Sequence, residues 1–385
     1  MRVLHVVPTY LPATRYGGPI YSVHHLCRAL VRQGCTVDVA TTSVDGAGDS
    51  AVPLAQRVDL DGVGVHYFRS PLLRRLYYAP TMRAWLRREL PRYDLVHLHS
   101  VYLWPTNCAA RIAERAGRPY VVAPRGMLVP ELIAARNAWI KRAWLDLVEA
   151  RTLRHACALH CTSEAEVRDA ARVGLPMAPA FVLANGVEAG NLDAPCPDWA
   201  TKLQGRRFVL ALGRLNWKKQ LDWLVRALPH LGEVELVLAG PDEAGCAAAL
   251  RAEAERLGVV GRLHLPGPQD GSAKAWLLAH CALLAMPSLS ENFGNSALEA
   301  LAAARPAMVT DRCGVAADVL AAGAGWVTPV HGEAFQQQLV QALADSDECD
   351  RRGAHGLAFV SQQRSWDAIA AQLLERYRGW QRAAC

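Results

Sequence analysis

Short apolar runs alternate with amphipathic helical patterns twice along this 385-residue chain, and that alternation constrains the fold more than any single motif. Arg2 to Val7 form a compact β run, a loop with Gly17-Gly18-Pro19 follows, and helical spacing runs from about Ile20 to Gln33, closed by Gly34. Thr36 to Thr41 then reads as a second strand, giving a βαβ opening. The order returns with strand Leu95 to Leu98, helix Asn107 to Ala116 ended by Gly117, and strand Tyr120 to Ala123. Strands that alternate with helices in this way form a parallel sheet covered on both faces.

The pattern lapses around Asn185-Gly186-Val187, and the Pro- and Asp-rich stretch Asn191 to Trp199 reads as a linker. It then restarts, with strands over Phe208 to Leu212, Glu235 to Ala239, Leu263 to Leu265 and Leu283 to Met286 and helical patterns between them. The expected fold class is therefore α/β, with two Rossmann-like, doubly wound domains, residues 1–188 and 189–362, facing across a cleft. A last helical pattern within residues 363–385 carries Trp366, Ile369, Leu373, Leu374, Tyr377 and Trp380 on one face, which is expected to pack back towards the N-terminal domain.

With 51% hydrophobic and 20% charged residues, disorder is excluded as the main theme. No apolar run approaches the ~18 residues of a membrane span, and the opening run stops at Pro8, so the chain is expected in the cytoplasm. Eleven cysteines, an odd number without a C-x-x-C pair, read as reduced. The stretch His155-Ala-Cys157-Ala-Leu-His160-Cys161 has zinc-ligand residue types, but strand-like alternation sends them to opposite faces. The net charge of +6 is uneven: residues 1–188 hold 23 Lys+Arg against 15 Asp+Glu, the remainder 19 against 21. Arg74, Arg75, Arg83, Arg87 and Arg88 lie among Leu72, Leu73, Tyr77, Tyr78 and Trp85. Such a run suits an anionic membrane surface, and equally a helix with one solvated and one core face. No nucleic-acid partner is expected, because no zinc-finger or RRM signature is present.

The chain lacks G-x-G-x-x-G after either first strand and lacks a Walker A lysine motif, so any phosphate site is of another kind. Gly213-Arg214-Leu-Asn-Trp-Lys218-Lys219 follows the strand at Phe208 to Leu212 and leads into a helix near Leu221. Cations beside a helix start suit a diphosphate. Ser290-Glu291-Asn292-Phe293-Gly294-Asn295-Ser-Ala-Leu298-Glu299 follows the strand at Leu283 to Met286. A helix starting near Gly294 would hold Glu299 in its second turn and leave Glu291 in the loop before it, both within reach of a ligand at the helix N-terminus.

Gly213-Arg214 with Lys219, the Glu291-x7-Glu299 pair, the Gly17-Gly18-Pro19 loop and the Asn185-Gly186-Val187 hinge together resemble family-4 retaining glycosyltransferases of the GT-B fold, over essentially the whole chain. Ala123-Pro124-Arg125-Gly126-Met127-Leu128, followed by Cys161-Thr162-Ser163-Glu164, resembles a subgroup that builds bacterial surface polysaccharides. The resemblance implies that Arg214 and Lys219 bind the donor diphosphate and Glu299 the ribose hydroxyls. Glu291, with Asn292, Phe293 and Gly294, would meet the sugar and its phosphate. Gly17, Gly18, Gly213, Asn295 and Leu298 complete the implied donor site. The implied partners are a UDP- or GDP-sugar and a glycan or lipid-linked acceptor at the inner face of the plasma membrane.

Cations and helix N–H groups would stabilise the leaving diphosphate, so no divalent metal or other cofactor is expected. Asp345-Ser346-Asp347 reads as a solvated turn, not a metal motif. Two departures stand out. Gln220 occupies the place of a glycine after the phosphate lysine, and Arg125 stands where many relatives have a histidine. His99, on one face with a core-facing His97, is the other candidate for the acceptor-side catalytic contact. Two rival functions remain open from sequence: a nucleotide-sugar epimerase, which would turn over its substrate without an acceptor, and a sugar-binding scaffold, which would tolerate loss of Glu291.

Overall fold

The computed structural model describes residues 1–13, 17–135, 138–243 and 245–384. It divides into two units, one of Met1–Gly186 with Trp366–Cys385 and one of Val187–Ser365. The chain leaves the first unit at Gly186 and returns at Trp366. A Cβ on Gly186 would lie within 3 Å of the Trp366 ring, so only glycine lets the returning tryptophan seat there. In the second unit the Val187 amide donates to the Arg364 carbonyl at 2.8 Å, which closes that unit where its two ends meet.

The main sheet of the first unit holds eight strands among the described residues: β1 (Arg2–Val6), β2 (Thr36–Thr42), β3 (Arg57–Leu60), β4 (Val63–Phe68), β5 (Leu95–His99), β6 (Tyr120–Ala123), β7 (Ala158–Cys161) and β8 (Ala180–Val182). They lie in the order β8-β7-β6-β5-β1-β2-β4-β3, parallel except for the antiparallel edge pair β3/β4. That edge hairpin, turned at Asp61-Gly62, falls outside the strand–helix alternation that marks the other strands. Side chains alternate across the sheet. Leu4, Val6, Val96 and Leu98 pack on one face with Met82 and Leu86 of helix Pro80–Glu89 and Ala109 and Ile112 of helix Trp104–Arg115. Val3, Val37, Val39 and Leu95 pack on the other with Val23 and Leu26 of helix Gly18–Arg32. Ile369, Leu373, Leu374 and Tyr377 of helix Trp366–Ala384 complete that second face.

The second unit holds β9 (Phe208–Leu212), β10 (Glu235–Ala239), β11 (Leu263–Gly267), β12 (Leu283–Met286), β13 (Ala307–Thr310) and β14 (Gly325–Thr328), in the order β11-β10-β9-β12-β13-β14 and parallel throughout. Val209, Ala211, Leu236, Leu238, Leu283 and Ala285 face Leu224, Leu228, Phe335 and Leu339 across one core. The fold class is thus two Rossmann-like parallel sheets flanked by helices. Asp345 does not sit in a turn: it caps helix Ser346–Gln363, its carboxylate accepting from the Glu348 amide at 2.9 Å. Trp85, expected among membrane-facing residues, is buried against His66 and Phe68. The helix that carries it exposes Arg83, Arg87 and Arg88 on its other side. No described helix is long and apolar enough to cross a membrane.

Because Leu373 of the returning helix is completely buried, Leu373→Ala should destabilise the first unit by about 2–5 kcal/mol. Chemical denaturation followed by tryptophan fluorescence measures this, and a loss below about 0.5 kcal/mol would show that the helix is not part of that core.

Candidate active site

In each sheet the strands on either side of one position connect outwards in opposite directions, so the loops beyond their carboxyl ends part and leave a crevice. In the second unit this point lies between β9 and β12. Gly213 follows β9 with φ 131, and a Cβ on Gly240 would lie 1.9 Å from its carbonyl oxygen. Asn216 then accepts from the Lys218 amide at 3.1 Å and starts the one-turn 3-10 helix Trp217–Lys219. Gln220 ends that turn in the left-handed region, φ 46, where glycine would sit without strain, and its side chain donates to the Trp217 carbonyl at 2.7 Å. The following helix spans Asp222–Ala227, starting a residue later than the sequence pattern indicates.

Across the crevice, the loop from Pro287 to Gly294 is tied to residues 312–315. The Glu291 amide donates to the Arg312 carbonyl at 3.1 Å, and Val315 donates to the Phe293 carbonyl at 2.7 Å. Gly294 has φ 104, and a Cβ there would stand 3.0 Å from Val315 Cγ1, so the tight loop entry excludes a side chain on two counts. Helix Asn295–Ala302 starts directly after it, without a side-chain cap.

These elements bring the expected charges together. The Lys219 ammonium pairs with Glu291, both part-buried. Arg214 Nη1 donates to Glu243 Oε1 at 2.8 Å, while Asn216 Nδ2 donates to Glu243 Oε2 at 3.2 Å. Lys274, on helix Gly271–His280, donates to Glu299 at 2.7 Å. Gly213, Arg214 and Lys219 line one recess with Met286 and Pro287. Asn292 and Asn295 are part-exposed at its loop and helix start. Two expectations need correction: Phe293 and Leu298 are packed inside the unit, so neither side chain is free to touch a ligand. Glu243, Asn216 and Lys274 escaped sequence analysis, since nothing in their spacing from Arg214 or Glu299 marks them as partners. Glu243 does follow the end of a strand, as the other loop residues do.

In the first unit the corresponding point lies between β1 and β5. Val7, Pro8 and Thr9 after β1, His99 at the end of β5 with Ser100 and Leu103 beyond it, Arg125 after β6 and the start of helix Gly18–Arg32 line an open pocket. Gly17, φ 77, opens that helix and Gly18 is its first residue.

Beneath the pocket lies a set of buried imidazoles whose tautomers follow from the hydrogen-bond network. His160 Nε2 donates to the Leu183 carbonyl at 2.9 Å, so its Nδ1 accepts from His97 Nε2, and His97 Nδ1 accepts from the Tyr377 hydroxyl at 2.5 Å. In a second chain Arg125 donates to His99 Nδ1 at 3.2 Å, and His99 Nε2 donates to His5 Nδ1 at 2.9 Å. The remaining His5 N–H, on Nε2, is buried without a partner. His99 therefore has its only basic lone pair engaged by Arg125 and is 1% exposed, which removes it as an acceptor-side base.

His5, His97 and His99 have ligand atoms within 4.8 Å of one another, the single metal-type grouping among the described residues. The Arg125 cation bonded to His99 and the complete enclosure of all three oppose an ion there. His155, Cys157, His160 and Cys161 form no such group among the described residues: His160 stacks on Phe181 inside the sheet.

Residues 17–186 match the model of the glycosyl transferase 4-like domain, and residues 206–345 match that of glycosyl transferases group 1. The chain belongs to the group 1 glycosyltransferases. A D-inositol 3-phosphate glycosyltransferase of Xylanimonas cellulosilytica is 27% identical over 98% of this chain and 95% of its own length. One from Streptomyces scabiei is 29% identical over 98% and 90%. Sucrose-phosphate synthase from Thermosynechococcus elongatus superposes with a TM-score of 0.74 at 19% identity, over 99% of both chains. Anabaena HepE, solved with UDP and glucose, gives 0.75 at 21% identity over 98% of this chain and all of its own. Those structures share the GT-B fold of this glycosyltransferase.

Burial, helped by the Arg125 charge, pushes His5 and His160 down to about 3, and burial holds His97 and His99 well below the ordinary 6.5. Below pH 6.5 the unfolded chain binds protons that the folded chain refuses, so this stability is present at neutral pH and lost on acidification. The unfolding free energy should fall between pH 6.5 and 5, with a slope approaching about 1.4 kcal/mol per pH unit for each of these histidines. Urea denaturation across that interval measures it; an unchanged free energy would contradict neutral, enclosed imidazoles.

Proposed function

We propose that this enzyme transfers a sugar, with retention of anomeric configuration and without a metal, from a UDP- or GDP-sugar to a glycan or lipid-linked acceptor of surface polysaccharide. The observation that carries the donor reading is the Lys219–Glu291 pair beside Arg214 at the carboxyl end of β9. Each cation there rests on a carboxylate. A diphosphate would draw Lys219 and Arg214 to its oxygens and free Glu291 for the sugar hydroxyls. As the bond from the anomeric carbon to the β-phosphate oxygen lengthens, charge grows on that oxygen, and pre-positioned cations and helix amides stabilise it with little reorganisation. Glu299, held by Lys274, would accept from the ribose hydroxyls at the same helix. The structures of HepE with UDP support UDP as the nucleotide in this reading.

Arg214→Ala should raise the donor KM about 10- to 100-fold, because a charge-assisted bond to phosphate is worth about 1.5–3 kcal/mol. An unchanged KM would remove Arg214 from the diphosphate site. Transfer should persist in EDTA, and loss of activity restored by Mg²⁺ or Mn²⁺ would overturn the metal-independent mechanism. The product's anomeric configuration, read by NMR, tests retention, while turnover of a nucleotide sugar without acceptor would favour epimerisation.

For membrane attachment, the exposed Leu72 and Leu73 with Arg75, Arg83 and Arg87 replace the set expected from sequence. Trp85 is internal, and Arg74 is engaged by Asp49 and the Ser70 carbonyl. At about 1 kcal/mol per basic residue near an anionic surface, Arg75→Gln, Arg83→Gln and Arg87→Gln together should abolish sedimentation with anionic vesicles at low salt. Equal sedimentation of the wild type with neutral vesicles would make the run a solvated helix face.

A further inference from the structure

Among the described residues, Arg125 is the one charged side chain lining the pocket between β1 and β5, and its surroundings differ from those of the cations in the second unit. Arg214, Lys219 and Lys274 each carry a carboxylate, whereas the Arg125 guanidinium is held by neutral groups: Nη1 donates to Asn185 Oδ1 at 3.1 Å and Nη2 to His99 Nδ1 at 3.2 Å. Its Nε is out of reach of solvent and has no hydrogen-bond partner. Glu166, whose charge acts on Arg125 through space, has its oxygens occupied by the Gly126 amide at 2.6 Å and the Thr162 amide at 2.7 Å, and no described carboxylate forms an ion pair with Arg125. The residue is also held at φ 56, beside Gly126 at φ 73, a backbone strain that the fold maintains at the pocket wall.

A part-buried cation, oriented by two fixed neutral partners and touched by no described carboxylate, is arranged for an anion that arrives with a ligand. The walls around it supply no other charge among the described residues: Val7, Pro8, Ile20 and Leu103 are apolar, and Thr9, Ser100 and Tyr77 add hydroxyl-bearing side chains. The uncapped N-terminal turn of helix Gly18–Arg32 adds positive potential at the wall. We propose that this pocket binds a phosphate group carried by the acceptor, with Arg125 as the residue that selects for it. The proposal rests on the glycosyltransferase reading above and narrows its acceptor to a phosphorylated one, with Asn185 and His99 as positioning residues that aim the guanidinium. A neutral glycan alone would leave the Arg125 charge uncompensated.

The test uses the full-length enzyme saturated with UDP, at constant ionic strength, with inorganic phosphate as the probe and thermal unfolding as the readout. Phosphate well above its dissociation constant should raise Tm by about 2–4 °C over chloride. Arg125→Gln should lose at least tenfold in phosphate affinity, and Arg125→Lys, which keeps the charge without the fork, should retain part of it. Wild type that responds no more to phosphate than to chloride overturns the proposal, as does Arg125→Gln with wild-type phosphate affinity. So does a phosphate response seen without UDP that UDP abolishes, since that anion belongs to the diphosphate site. If Arg125→Gln does not fold, the Arg125→Lys titration decides: unchanged affinity in that variant places the phosphate elsewhere. Glucose 1-phosphate and farnesyl phosphate in micelles separate a sugar phosphate from a lipid phosphate, and a neutral glucose response equal to both overturns the proposal. The rise of Tm with UDP alone reports the donor site, so its absence would count against the nucleotide-sugar reading and not against the phosphate pocket.

Discussion

A parallel sheet buried on both faces leaves polar chemistry few places to go. Its strands are apolar on either side, its backbone groups are used up in the ladder, and helices cover both faces. What stays open is the carboxyl edge, where strands end and loops begin, and it gapes where neighbouring strands connect in opposite directions. Both units obey this constraint, and the residues we assign to substrate stand in the loops and the first helical turns that follow such edges. Gly213 and Arg214 follow β9 and Pro287 to Gly294 follow β12, while Ser100 follows β5 and Arg125 follows β6.

At these edges the two units handle charge differently. In the second unit cations and carboxylates are paired at short range, and the diphosphate of the proposed donor would take over the cations by exchange. Such part-exposed pairs hold little stability of their own and are cheap to break. In the first unit the guanidinium rests on an imidazole and a carboxamide, both neutral, above a sheet face that contains four uncharged histidines. The hydrogen bonds there run in one direction, from Tyr377 through His97 and His160 to a backbone carbonyl, and from Arg125 through His99 to His5. Reversing any link would place two protons, or none, between a pair of nitrogens. This order keeps the core neutral and leaves the Arg125 charge facing the pocket.

The alternation of apolar runs and helical patterns was enough to read two parallel α/β sheets, the restart after residue 200 and the apolar face of the final helix, because burial on both faces writes itself into local composition. The loop motifs were legible too: Gly213-Arg214, Lys219 and the Glu291–Glu299 spacing stand at the strand ends where ligands bind. The edge hairpin β3/β4 was not, since a short, partly exposed strand such as Arg57–Leu60 carries no continuous apolar run. Phe293 and Leu298 looked like ligand contacts because they sit inside a motif, yet the helix turns both inward.

Sequence alone therefore determined the class of fold, the family resemblance and the strand ends at which charged groups gather. Only the tertiary structure decided which charges meet. Lys219 and Glu291 are 72 positions apart, Arg214 and Glu243 are 29 apart, and His97 meets Tyr377 across 280 residues. Pairings over such distances are set by sheet order and register, which no local pattern records. The same holds for Arg125: its place after a strand is visible in the chain, but that its guanidinium meets Asn185 and His99 and no described carboxylate depends on what the fold brings beside it.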